Sequence, residues 1–378
     1  MRILLAPDSL SGDATNGEGR LGAATVAQHL AQGWRHARPQ DQILVHPLGG
    51  AGPGMIDAIA ANIGGEREAV VATGAMGEAV ATSWLRSGKV AFIEAGMLLG
   101  SVTAQTALAL ATSGSSAGLA DLITAAIASG ARELVIGVPE VGSHDGGQGL
   151  LRRLAKAEPL TPMPEVIARA RGALQGADVL VAAGTDLPLV GLNGAGAALA
   201  RRPGIDHAGA QRIEQELAST ISDVDAAVVA PPSLLQAQAD QRRASRRRYG
   251  GAGGGVAFAL AALGARLMPA AEVVASYSDL ASAVANSDVI LTVTDLLDGE
   301  AISEGVPGVV AKVAMTSMVP VVAVGATVLV TRRELSGTAI AGTYALLDPV
   351  PARSADVVPD LGQALAARAS RVARTWSR

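Results

Sequence analysis

The chain predicts an α/β fold of two α/β domains. One is discontinuous with a Rossmann-like parallel sheet; the other is an inserted mixed α/β domain with an antiparallel patch. Three observations predict this. First, short apolar runs at Arg2–Ala6, Gln42–His46 and Asp288–Thr294 each enter a turn rich in glycine, proline or acid, and alternate with helical stretches. Second, three strand-like runs at Glu68–Thr73, Ala79–Leu85 and Lys89–Ala95 are separated by tight turns alone, which antiparallel strands allow and parallel strands do not. Third, the parallel rhythm returns near the end of the chain. Residues 1–66 and 285–378 are therefore expected to form the discontinuous domain, with 67–284 inserted. A length of 378 residues suits two domains.

Composition narrows the function. Apolar residues make up 49% of the chain and aromatics 2%, so a large core must be aliphatic, and little is left on which to stack bases. A net charge of −4 gives no reason to expect nucleic acid as a partner. The absence of cysteine excludes a disulfide framework, a thiol nucleophile and a thiolate metal site. The N-terminal apolar run is too short for a signal peptide, and Val319–Val330 is too short to span a bilayer. A cytoplasmic protein acting on a small molecule is expected, with a homodimer possible. Five histidines form no pair at zinc-ligand spacing, no G-x-S-x-G elbow occurs, and no dinucleotide fingerprint follows a strand.

The elements follow in order. Arg2–Ala6 delivers Asp8, Ser9 and Ser11 into the turn after the first strand, and Asp13–Gly19 reads as a loop. Leu21–Ala37 is helical, with Val26, Leu30 and Trp34 on one face. Gln42–His46 runs into an uncharged turn, and Met55–Asn62 restarts a helix. Thr106–Ser129 is helical with a break near Ser113–Ser116. Leu134–Ile136 is a buried strand whose turn carries Asp145, Gly146, Gly147 and Gly149, and glycines there let backbone amides approach a phosphate. Asp178–Ala183 ends near Asp186, and Asn193-Gly194 signals a turn. Ile205–Ile221 is a more polar helix. The basic stretch Gln241–Arg248 precedes Gly250–Gly255, which opens a helix through Phe258; Gly251, Gly253, Gly254 and Gly255 are candidates for contacting a cofactor's phosphates, although helix packing explains such a string too. Asp288–Thr294 ends at Asp295, Asp298 and Gly299.

The order of these motifs resembles the glycerate kinase family over nearly the whole chain. The resemblance is carried by Ala6-Pro7-Asp8-Ser9, Thr73-Gly74, Ile93-Glu94, Asp145-Gly146-Gly147, Asp186 with Pro188-Leu189, Asn193-Gly194, Ser287-Asp288-Val289-Ile290 and Leu297-Asp298-Gly299. It implies transfer of the ATP γ-phosphoryl group to a hydroxyl of glycerate, with Mg2+. On that resemblance, Asp8, Asp145 and Asp298 are the candidate catalytic acids. Ser9, Ser11, Asp186 and Asn193 are candidates for the substrate, and Asp186 and Asp298 for the metal. Gly146, Gly147, Gly251, Gly253, Gly254, Gly255 and Gly299 are candidates for the nucleotide. The chain departs from the family pattern where Ser11, Gly50, Pro53, Thr294, Leu296 and Gly305 stand in place of charged residues. Asp295, Glu140, Glu300, His144 and the basic stretch 242–248 are candidates to compensate. The alternative expectation is a catalytically degenerate relative that binds or regulates.

Overall fold

A computed structural model describes residues 1–11, 20–103, 105–140, 142–228, 244–347 and 360–377. The loop expected at 13–19 and the first three residues of the basic stretch 241–248 lie outside them. The chain divides into two compact units. Met1–Gly50, Asp57–Gly64 and Ala271–Arg378 make the first, and Ala51–Ile56 with Gly65–Ala270 make the second. Against the expected boundary at 284/285, the helices Ala270–Tyr277 and Leu280–Ala285 group almost wholly with the first unit.

The first unit holds a five-stranded, wholly parallel sheet. Its strands are β1 (Arg2–Leu5), β2 (Gln42–Val45), β9 (Val289–Leu297), β10 (Val321–Val328) and β11 (Ile340–Ala345), in the order β11-β10-β9-β1-β2. Alternate residues Ile3, Leu5, Leu291, Val293, Val322 and Val324 enter one core with Val26, Leu30, Trp34, Leu365 and Val372 of the helices Ala23–Ala37 and Leu361–Trp376. Those helices pack closely because residue 33 is glycine: a Cβ there would lie 1.9 Å from the Ala366 carbonyl oxygen. Trp34 is core, as its helical position predicts, and its indole N–H donates to Asp41 at 2.9 Å.

The strand order reverses beside β1. The chain steps outward from β1 to β2 on one side, and from β9 through β10 to β11 on the other. In open α/β sheets such a reversal leaves a crevice at the carboxyl ends of the two central strands, where ligands bind. β9 also runs further than the sequence predicts. Its pairing with β10 continues through Leu296↔Thr327 and Leu297↔Val328, so Asp295 lies within a strand rather than in a turn.

The second unit holds a six-stranded mixed sheet: β3 (Glu66–Thr73), β4 (Ala79–Ser87), β5 (Val90–Glu94), β6 (Glu133–Val138), β7 (Asp178–Ala183) and β8 (Arg266–Pro269), in sequence order. β3-β4 and β4-β5 are antiparallel, which is the patch the sequence predicts, and the remaining pairs are parallel. β6 is buried on both faces from Leu134 to Val138, as expected of a strand inside a parallel sheet. Among the described residues no helix is long and apolar enough to cross a membrane.

Candidate functional site

Two clusters collect most of the expected residues. The first lies at the reversal point of the five-stranded sheet. β1 and β9 run side by side, and the ladder continues past β1 as Ala6 N–H donates to the Leu291 carbonyl and Asp8 N–H to that of Val293. This brings Asp8 beside Asp295. The Ser9 N–H donates to Asp8 Oδ1 at 2.6 Å, and the Ser9 hydroxyl donates to the same oxygen at 3.3 Å. Arg20 Nη2 donates to Ser9 Oγ at 3.0 Å. The Ser11 N–H donates to both oxygens of Asp295, at 2.9 and 3.0 Å. Burial pushes the Asp8 carboxyl up to about 6, and the Asp295 charge adds to this; the Ser9 hydrogen bonds and Arg20 oppose it without cancelling it. A carboxylate poised there is matched to taking a proton at neutral pH.

The second cluster is the turn after β6. Asp145 accepts four hydrogen bonds: from Ser116 N–H and Oγ at 2.8 Å, from Gly147 N–H at 2.9 Å and from Gly149 N–H at 3.1 Å. Ser116 is wholly buried, and its hydroxyl also accepts the Leu150 N–H. Asp145 therefore fastens the 115–117 loop to the start of the helix Gln148–Ala155. The glycines differ from expectation. Gly146 N–H donates to Gly254, Gly251 N–H to Leu187, Gly253 N–H to Pro139 and Gly254 N–H to Gly251, so these amides are spent on protein carbonyls rather than held open for a phosphate. Gly253, Gly254 and Gly255 are left-handed in succession, and a Cβ on Gly254 would stand 2.0 Å from the Ser143 carbonyl oxygen. The two glycine turns interlock, and close approach is what glycine supplies here.

The other expected residues stand apart from these clusters in their bonding. Asp186 follows β7 and pairs with Arg248 at 3.2 Å; the Arg248 guanidinium lies 5.1 Å from the Tyr249 ring centroid. Asn193 is exposed in a turn. Asp298 caps the helix Gly299–Ser303, its Oδ1 accepting the Ala301 N–H, and Gly299 is exposed at the first position of that helix.

Among the described residues no three histidine or acidic side chains gather as a metal cage. Mg2+ carried on nucleotide phosphates needs only one or two protein carboxylates. Asp298 fits that demand, because its second oxygen takes no hydrogen bond among the described residues.

Sequence reasoning passed over Arg20, which has no motif around it, and placed Asp295 in a turn. The adjacency of β1 and β9 brings Asp295 to Asp8, and the Leu10–Leu21 bridge brings Arg20 to Ser9; no local pattern reports either.

A parallel sheet carrying acids at its reversal point is the frame of a ligand-handling α/β protein. The chain belongs to the glycerate kinase family, which it matches over residues 3–377. It is similar to the glycerate 2-kinase of Escherichia coli K12, at 29% identity over 343 residues that cover 86% of this chain and 84% of that one. It is also similar to a protein of Mycobacterium bovis described as uncharacterized, at 28% identity over 356 residues that cover 92% and 84%. A Salmonella typhimurium LT2 protein assigned as glycerate kinase 2, known from its crystal structure, shares the fold with a TM-score of 0.73 at 24% identity, over 99% of this chain and 98% of that one.

Proposed function

We propose that the chain transfers the γ-phosphoryl group of ATP to a hydroxyl of glycerate or a related small hydroxy acid. The observation that carries this reading is Asp8, at the reversal point of the sheet, with its carboxyl raised to about 6. Family membership supplies the reaction class.

In this reading Asp8 accepts the proton of the acceptor hydroxyl as its oxygen bonds to the γ-phosphorus. The bond from that phosphorus to the β–γ bridging oxygen breaks, and ADP leaves with the electron pair. Ser9 and Arg20 hold the Asp8 carboxylate in place through the hydrogen-bonded chain Arg20–Ser9–Asp8. Asp298 offers an oxygen to Mg2+, which when bound neutralises charge on the transferring phosphoryl group. Asp145, with its four internal hydrogen bonds, holds the turn after β6 rather than the reacting atoms.

One observation favours a second reading, a binding protein without chemistry. Ser11 offers Asp295 a backbone N–H where the family pattern places a lysine, so fixed cations are scarce around the acid pair. Incubation with Mg2+, ATP and a panel of hydroxy acids separates the two. ADP release that depends on the acceptor supports the kinase. Saturable binding of a hydroxy acid with no phosphorylated product supports the second reading.

A further inference from the structure

Among the described residues, the hydrogen-bonded group beyond the end of β1 holds two acids and a single cation. Leu10 and Leu21 form an antiparallel bridge, each N–H donating to the other's carbonyl, at 2.9 and 2.8 Å. That register sets residue 20 across from residue 11, with residue 9 diagonal to it on the same face. Arg20 accordingly reaches Ser9, and its charge is felt at Asp8.

Most of the guanidinium is uncommitted. Nη2 donates to the neutral Ser9 hydroxyl at 3.0 Å, and Arg20 forms no ion pair among the described residues. The side chain is exposed, which leaves its other N–H groups to a ligand. A guanidinium presents its donors as a planar fork, and a carboxylate matches that fork with both oxygens.

A hydroxy acid would bring its carboxylate to a place that already holds Asp8 and Asp295. Asp295 takes only the neutral Ser11 N–H, and no basic side chain other than Arg20 bonds to Asp8, Ser9, Ser11 or Asp295 among the described residues. Like charge there opposes an anionic acceptor, and Arg20 is the group placed to offset it. Two hydrogen bonds, of 3.0 and 3.3 Å, separate the guanidinium from the Asp8 carboxyl. A hydroxyl at Asp8 joined by a short carbon link to a carboxylate suits that arrangement. A neutral polyol gains nothing from the cation.

We propose that Arg20 determines acceptor specificity, its free N–H edge pairing with the carboxylate of the hydroxy acid. The inference rests on the phosphotransferase reading only in that the acceptor's hydroxyl faces Asp8.

The test is calorimetric titration of the full chain with glycerate, lactate and tartrate, and with glycerol as the uncharged control, each with and without ADP and Mg2+. The native chain is compared with Arg20→Ala, with Arg20→Lys, and with Arg20→Ala combined with Ser11→Lys. Ser11 is exposed and lies across from residue 20, so a lysine there returns a charge to the same face. Melting temperatures confirm that the variants fold. At least one acid should bind saturably, about tenfold or more weaker in Arg20→Ala and recovered to within about threefold of native by one of the lysine variants, with any glycerol binding unchanged. No saturable binding of any of these acids to the native chain overturns the proposal. So does a loss within about twofold in Arg20→Ala, a loss that neither lysine restores, or an equal loss for glycerol. In an active chain Arg20→Ala should raise the KM for the acid and leave the KM for ATP unchanged; the reverse pattern gives Arg20 to the transferring phosphoryl group and overturns the proposal. Acid binding that Arg20→Ala loses, in a chain without phosphoryl transfer, keeps the carboxylate site and removes the kinase. Phosphoryl transfer whose acceptor KM ignores Arg20→Ala keeps the kinase and removes the role given to Arg20.

Discussion

The proposed reaction concentrates its chemistry at a single carboxyl, that of Asp8. Its value of about 6 stands above the ordinary carboxylate range, so the fold favours its protonated form. The sign follows: the linked stability is present in full below pH ~4 and is lost as pH rises through about 6. Asp8→Asn, always uncharged, should be more stable than the native chain at pH 8, with the gap closing towards pH 4. A shift of this size has a ceiling of about 3 kcal/mol, but Asp8 is partly exposed and solvent screening reduces the expected gap to ~1 kcal/mol. Denaturant titrations at the two pH values check it. Activity should move the opposite way. The base must be ionised, so kcat/KM should rise about tenfold per pH unit below 6 and level off above it, and Asp8→Asn should lower kcat by ~100-fold or more. At Asp145 the expectation is structural. Ser116→Ala removes a buried hydroxyl that serves both Asp145 and the Leu150 N–H, and should cost about 1–3 kcal/mol, read from the denaturation midpoint at constant slope.

Among the elements, the strands and their turns were legible because their signals are local. Buried apolar runs ending in glycine, proline or acid announced β1, β6, β7 and most of β9, and the short runs with tight turns announced the antiparallel patch. The helix Met163–Ala173 gives little signal in the sequence, because Pro162 and Pro164 stand at its start. Pro164 sits in the first turn, where its missing N–H costs nothing. β8 is four residues long and partly exposed, so it left no run to detect. The glycines at 251–255 were visible, but not their use. The same string suits an anion cradle or a close approach of two turns, and the partner turn is set by folding at long range. Gly254→Ala decides how tight that approach is. With φ at +61° and the Ser143 carbonyl oxygen 2.0 Å from the new Cβ, it should destabilise by ~2 kcal/mol or more and loosen the turn that carries Asp145.

At the scale of the whole molecule, each unit has its own sheet and its own aliphatic core. The first carries the acid pair at the reversal of strand order. The second carries the interlocked glycine turns. Asp8 could be chosen from the sequence because the first strand delivers it directly. Its neighbour Asp295 becomes part of the same cluster because β9 extends along β10 and lies beside β1, a consequence of topology rather than spacing. The measurement that bears most directly on the proposed chemistry is phosphorus NMR of the full chain with ATP, Mg2+ and glycerate, run in parallel with Asp8→Asn. The native chain should produce a new phosphomonoester resonance as ATP is converted to ADP, and Asp8→Asn should slow its appearance by ~100-fold or more. A resonance that grows equally fast with Asp8→Asn, or none from the native chain with glycerate or any other hydroxy acid, would contradict the assignment.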